Sequence, residues 1–198
     1  MQKAMTWGRR WGCWVGWVGL ASAAAGAWAA DASWVGEARG VASAVPPKLL
    51  AVLTQELERG GPAHAMAACN EQAPLLARHA SQQTGWQVRR VTLRERNPQA
   101  VPDAWERATL EDFDRRAAAG EAPATLERAE VVVQNGQPVQ RYMRALPVQP
   151  LCLSCHGDPA HLAPAVKERL NTLYPADRAT GYAVGQLRGA ITLQRPAP

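Results

Sequence analysis

Five residues near the C-terminal end constrain this chain more than any other feature: Cys152-Leu153-Ser154-Cys155-His156, with Gly157 next. Two thiols three positions apart, with an imidazole beside the second, form the signature of covalent c-type haem attachment. The chemistry sets the spacing. The thiols add across the two vinyl groups of the macrocycle, and two intervening residues let them bridge those groups. The adjacent imidazole then reaches the iron, for which a neutral imidazole is a suitable axial ligand. The rest of the chain has to supply the pocket. With four Cys and four His among 198 residues, chance produces this pentapeptide in roughly two chains per thousand.

Two other chemistries compete for the motif. A thioredoxin-like redox pair wants Cys-x-x-Cys at the start of a helix after a strand. Here Pro147 and Pro150 precede it and no βαβ pattern follows. A zinc site needs a fourth ligand, for which Cys69 and His161 are the available residues.

The N-terminus reads as an address. Lys3, Arg9 and Arg10 give a basic start, Trp11 to Ala25 is apolar, and Ala27-Trp28-Ala29 is a small-x-small cleavage signal. That layout is a secretory signal peptide. Residues 1–29 are therefore expected to be removed, leaving a 30–198 domain in the bacterial periplasm. An uncleaved anchor is the alternative, since Trp11 to Ala29 is about the length that spans a bilayer. No later run is long and apolar enough, so no stable membrane insertion is expected after cleavage. The net charge of +5 falls to +2 once the three leader cations are set aside. With no basic stripe, nucleic-acid binding is not expected. A content of 47% hydrophobic and 20% charged residues argues against wholesale disorder.

Removal of the leader, and Cys13 with it, leaves Cys69, Cys152 and Cys155. An odd number in an exported chain needs its own explanation. Cys69 falls on an apolar face formed by Met66, Cys69, Ala73, Leu76 and Ala80, where a free cysteine also serves as a small core residue. From the residues alone both roles stand open. Met66, Met143, His64, His79 and His161 are rival axial ligands.

The remaining pattern is mixed. Leu49, Leu50, Leu53 and Leu57 recur at helical spacing, so a helix is expected over 47–59, ended by Gly60-Gly61. It could begin as early as Ser33 with a kink at Pro46-Pro47. A second helix follows from about Pro62, with a kink or break at Pro74. Residues 86–94 read as a strand whose alternation slips at Arg89-Arg90, as a bulge would produce. Asp103 caps a helix through about Ala119, with Leu110, Phe113 and Ala117 buried. Asn135-Gly136 between two β-rich runs is a strong hairpin signal. A helix through Leu162, Val166, Leu170 and Leu173 and a strand over 189–194 close the chain. The order predicts an α+β fold, an antiparallel sheet flanked by helices.

These residues together resemble a haem-c-binding family of formally unknown function with a PAS-like fold, found alone in the periplasm or as the sensing part of bacterial signalling proteins. The resemblance spans about 49–194. It rests on Ala68-Cys69-Asn70 with Ala73-Pro74, Arg96-Asn97-Pro98, Pro102-Asp103, Trp105-Glu106, the Cys152–Gly157 motif, Tyr174-Pro175, Asp177, Gly181-Tyr182 and Arg188-Gly189-Ala190. It implies one covalent haem c with a cysteine and a histidine as axial ligands, which fall on Cys69 and His156. Thiolate stabilises ferric iron and lowers the potential.

The expectation is a periplasmic single-haem c-type cytochrome, a redox or diatomic-gas sensor that takes CO or NO and passes its state to a signalling protein. The alternative is a low-potential soluble electron-transfer cytochrome serving a redox partner. A haem enzyme such as a peroxidase needs an open distal side with a positioned acid/base residue, and no residue pattern picks one out. Haem carboxylates need cationic or hydrogen-bonding partners, for which Arg96, Arg141, Tyr142 and Arg144 are the sequence candidates.

Overall fold

The computed structural model describes residues 26–198, with side chains from Ser33 onward. The leader expected at 1–29 lies for the most part outside the described residues. Among those described, no helix is long and apolar enough to cross a membrane.

The order of elements is α1 (Gly26–Thr84), β1 (Gln87–Val91), α2 (Ala104–Ala118), β2 (Glu127–Gln134), β3 (Gln137–Pro147), α3 (Leu153–His156), α4 (Pro164–Leu173) and β4 (Leu187–Pro196). The four strands form one antiparallel sheet in the order β1-β4-β3-β2. The α+β expectation holds at that level.

Both faces of the sheet are covered. On one, α1 presents Trp34, Ala38, Ala42 and Val45 at helical spacing to Trp86, Val88, Tyr142, Ile191 and Leu193. On the other, Leu110 and Phe113 of α2 pack on Val91, Met143, Ala145 and Ala190. This double cover explains the apparent slip at Arg89-Arg90. The strand β1 is regular, running from Gln87 opposite Gln194 to Val91 opposite Ala190, so no bulge lies there. Neighbouring side chains point to opposite faces. Arg89 reaches Glu106 on α2, and Arg90 lies on the α1 face with Val88. The irregularity sits instead between Leu146 and Pro147, opposite Gly189 and Leu187.

The helical region also departs from expectation. Pro46, Pro47, Pro62 and Pro74 all lie inside α1, and the one residue with non-helical dihedrals is Gly61 (φ 72, ψ −173). The break thus falls at the glycine, which has no Cβ to resist positive φ, and not at Pro46-Pro47 or Pro74. Proline's fixed φ is itself helical, and its cost is the missing amide bond.

The other local signals hold. The Asp103 carboxylate accepts from the Glu106 amide, and the Glu106 carboxylate accepts from the Asp103 amide, a reciprocal cap on α2. Glu106 is also buried against Arg141 at 3.1 Å. Asn135 (φ 52) and Gly136 (φ 77) turn β2 into β3, both positive as a type I′ hairpin requires.

Candidate functional site

The motif sits on a tight helical turn between β3 and α4. Residues Pro150–Cys152 form one turn of 3-10 helix that runs into α3. The Cys152 amide donates to Gln149 O at 2.9 Å, the Ser154 hydroxyl to Leu151 O at 2.8 Å, and the Gly157 amide to Leu153 O at 2.9 Å. A turn this tight brings Cys152, Cys155 and His156 to one side, where all three line a cavity of about 370 Å³. That volume falls within the ~300–1,000 Å³ usual for ligand pockets.

Three further elements close the cavity. Leu53 and Leu57 come from α1 before Gly61, and Met66, Cys69 and Ala73 from α1 beyond it. Val88 and Arg90 come from β1, Arg188 from β4, and Arg96 and Tyr174 from the connections. The leucine stripe expected to bury a helix against protein thus faces the cavity at Leu53 and Leu57. An apolar wall without a protein partner is what a flat apolar group requires.

The imidazole of His156 is fixed by a hydrogen bond of 2.6 Å to the Ala179 carbonyl oxygen through Nδ1. A carbonyl only accepts, so Nδ1 carries the proton. Burial and the nearby Arg188 and Arg96 hold the ring well below the ordinary histidine range, hence neutral. Nε2 then keeps its lone pair, the state in which histidine binds a metal. The Tyr182 ring meets the imidazole edge-on, with centroids 6.3 Å apart.

A buried ion pair locks this assembly. Arg96 binds both carboxylate oxygens of Asp177 at 3.0 Å and donates to Cys155 O at 2.7 Å. Its side chain is 9% exposed and that of Asp177 10%. The Asp177 carboxylate also accepts from the Ala179 amide at 2.9 Å. The Tyr174 hydroxyl donates to Asn70 at 3.0 Å, tying the same segment to the Cys69 turn.

Cys69, Cys152 and Cys155 are all free thiols in this structure. Burial raises the Cys69 thiol, opposed chiefly by Arg90 and Arg96. Burial likewise raises Cys155. Among the described residues, no group of three His, Cys, Asp or Glu side chains is arranged to hold a bare metal ion.

The rival ligands separate cleanly. His64 is exposed and bonded to Glu56 at 2.8 Å, and His161 is exposed and bonded to Asp158 at 2.9 Å. His79 lines a different groove along α1. Met143 is buried on the α2 face of the sheet. Met66 shares the cavity with Cys69 but is packed against Val166, Leu170 and Tyr174.

The sequence candidates for carboxylate partners divide as well. Arg96 lines the cavity, whereas Arg141 pairs with Asp103 and Glu106, and the Tyr142 hydroxyl donates to Glu127. Arg144 donates to Ser43. The sequence reading missed Arg90, whose buried Nε has no hydrogen-bond partner, and did not single out Arg188, which is in the same condition. Adjacent arginines in a strand carry no signal of which one faces a cavity.

Two thiols and a neutral imidazole on one turn, an apolar wall, a third thiol and unpaired cations suit a haem attached through thioether bonds. Cys152 and Cys155 would hold it, and His156 and Cys69 would be donors to its iron.

The chain matches the family model of the Tll0287-like proteins over residues 32–196. Its fold is similar to that of the cyanobacterial haem-protein Tll0287 in its crystal structure, with a TM-score of 0.63 and 25% sequence identity. The match covers 84% of this chain and 96% of that one. No curated protein matches the chain. The extent of the family match and the shared architecture lead to one conclusion: the chain belongs to the Tll0287-like family.

Proposed function

We propose that this chain is an exported, periplasmic single-haem c-type cytochrome: a PAS-like domain bonded to one haem c through Cys152 and Cys155, with His156 and Cys69 as axial ligands, acting as a redox or diatomic-gas sensor. One observation carries this reading most of the way. Cys152, Cys155, His156 and the remote Cys69 all line a single cavity. Similarity to a haem-protein supports the choice of group.

Haem held there supplies an iron centre that changes oxidation state and, with an axial position free, takes a diatomic ligand. The chain's own residues divide the rest. His156 is held by the Ala179 carbonyl and would keep its place in both oxidation states. Cys69 rides on the α1 segment beyond the Gly61 break, away from the motif in sequence. Bound to haem iron, its thiolate would favour the ferric state, and its hold would be weaker on reduced iron. Release of Cys69 would then be a local ligand change that biases a two-state element, read by a partner protein.

The test is CO or NO added to the reduced, haem-loaded protein. The sensor reading expects a ligand-bound spectrum together with loss of the thiolate. Reduced protein that keeps Cys69 bound and refuses both gases would leave an electron-transfer cytochrome.

A further inference from the structure

The cavity carries more positive charge than the protein neutralises. Arg90, Arg96 and Arg188 all line it. Arg96 is matched by Asp177. Arg188 is 7% exposed and donates only to neutral oxygens, the Thr92 hydroxyl at 3.1 Å and Arg94 O at 3.2 Å. Arg90 has no carboxylate partner among the described residues. The Nε atoms of Arg90 and Arg188 are both buried without a hydrogen-bond partner. Of the other two arginines on its lining, Arg78 is exposed and Arg89 pairs with Glu106, so Arg90 and Arg188 are the guanidinium groups left inside without a carboxylate among the described residues.

Buried charges are costly unless they are paired and hydrogen-bonded. The environment registers this: burial, followed by the neighbouring Arg90, pushes the Arg188 guanidinium down to about 9. Burial likewise lowers Arg90. Nothing in the fold calls for an unpaired arginine at position 90. The strand pairing at that residue uses only its backbone, and the opposite α1 wall supplies leucines rather than acids.

We infer that Arg90 and Arg188 form a carboxylate-binding pair that receives the two propionate groups of the haem. This rests on the haem reading of the cavity and deepens it. Two unpaired guanidinium groups match two carboxylates in number and sign. Guanidinium–carboxylate bonds are charge-assisted and directional, so the pair would orient the macrocycle that the thioether bonds hold by one edge. It would also keep the propionates ionised inside a low-dielectric cavity, where carboxyl groups otherwise shift upward.

The experiment compares haem-loaded wild type with Arg90→Gln and Arg90→Lys. Each protein is loaded through a haem c maturation system. The readouts are the pH dependence of the midpoint potential and the propionate bands in resonance Raman spectra. Wild type should show no propionate step above the ordinary carboxylic-acid range, about pH 4–5, only the even slope that protonation of a released Cys69 gives every variant alike. In Arg90→Gln one propionate titrates at higher pH. Its ionisation favours ferric iron, so the potential falls with rising pH, and its Raman band shifts. Arg90→Lys should restore most of the wild-type profile. Haem loading in wild type and Arg90→Lys but not in Arg90→Gln would also support the pairing.

A haem-loaded Arg90→Gln with wild-type slope and bands would overturn the inference alone. Failure of both variants to load beside a loaded wild type would do the same, because a charge requirement expects rescue by lysine. A wild-type potential that moves on adding acetate, with propionate bands unchanged by Arg90→Gln, would assign the charges to a diffusible anion and overturn it too. Wild type that takes up no haem would instead overturn the reading on which the inference rests.

Discussion

The Nδ1 atom of His156 lies 2.6 Å from the carbonyl oxygen of Ala179, and the amide of Ala179 donates in turn to the Asp177 carboxylate at 2.9 Å. The imidazole of the motif is therefore oriented by a segment more than twenty residues away in sequence. Asp177 is the joint of that arrangement, because it also receives the Arg96 fork. Outer hydrogen bonds of this kind set the tautomer and direction of a ligating histidine.

The first prediction concerns that joint. Asp177→Asn leaves Arg96 buried without its counter-ion. Removing one partner of a buried pair costs about 3–5 kcal/mol. The expected result is a lower midpoint in urea and a haem spectrum showing mixed histidine geometry. An unchanged melt and spectrum would show that Arg96–Asp177 does not position the site.

Gly189 makes a sharper steric case. Its φ is 145°, and a Cβ built there would lie 2.3 Å from the Val91 carbonyl oxygen. Gly189→Ala must push β4 away from β1 next to Arg90. The cost from backbone strain and overpacking together is about 3 kcal/mol. Equilibrium unfolding of Gly189→Ala against wild type measures it. A change below ~0.5 kcal/mol, the usual range for neutral surface substitutions, would contradict the close approach.

The pH dependence of stability should have an identifiable acid limb. Glu127 accepts from Arg39 at 2.5 and 2.9 Å and from the Tyr142 hydroxyl at 2.6 Å. These partners, Arg39 first, hold its carboxyl below the usual 4.5. A group whose folded pKa is depressed contributes stability above its unfolded pKa and loses it as pH falls through the folded value. Stability should therefore drop below about pH 4.5, and Glu127→Gln should flatten that part of the curve. A hydrogen bond to a charged group contributes about 1.5–3 kcal/mol, which bounds the expected change. Melting curves taken across the acid range, identical in the two proteins, would contradict it.

How much of this was legible in the sequence depends on the scale of the signal. The cap at Asp103–Glu106, the Asn135-Gly136 turn and the Cys152–His156 turn are local, with chemistry and spacing inside a few residues, and each could be read directly. The break in α1 was read partly. Gly60-Gly61 was identified as a stop, and the non-helical dihedrals fall at Gly61, not at Pro74, where a kink or break was expected. The leucines at 53 and 57 were read as a buried stripe, because periodicity reports an apolar face without saying what covers it. Arg90 was invisible for a related reason. Alternation along β1 presumes one wet face, and here both faces are covered. The carboxylates that pair with Arg141, the Ser43 hydroxyl that accepts from Arg144, and the carbonyl that orients His156 come from distant segments that no local pattern predicts.

Cys69 offers a direct test of the ligand assignment. Thiolate lowers the potential of haem iron, and methionine raises it. Cys69→Met in the haem-loaded protein should raise the midpoint potential and remove the thiolate features of the oxidised spectrum. Cys69→Ser should remove those features without the same rise. Met66 lies on the same cavity wall, so a Met66→Leu control separates the two residues. Oxidised spectra unchanged in both Cys69 variants would take Cys69 out of the iron's coordination.

The central claim is covalent haem on Cys152 and Cys155, and the most direct measurement is a reduced absorption spectrum taken after acid-solvent extraction. The protein is exported together with a haem c maturation system that works on a control cytochrome. A sharp reduced α band that survives extraction, and is lost in Cys152→Ala with Cys155→Ala, is the predicted result. No retained haem in wild type, with the control loaded, would contradict the account and return the three cysteines to disulfide or metal chemistry.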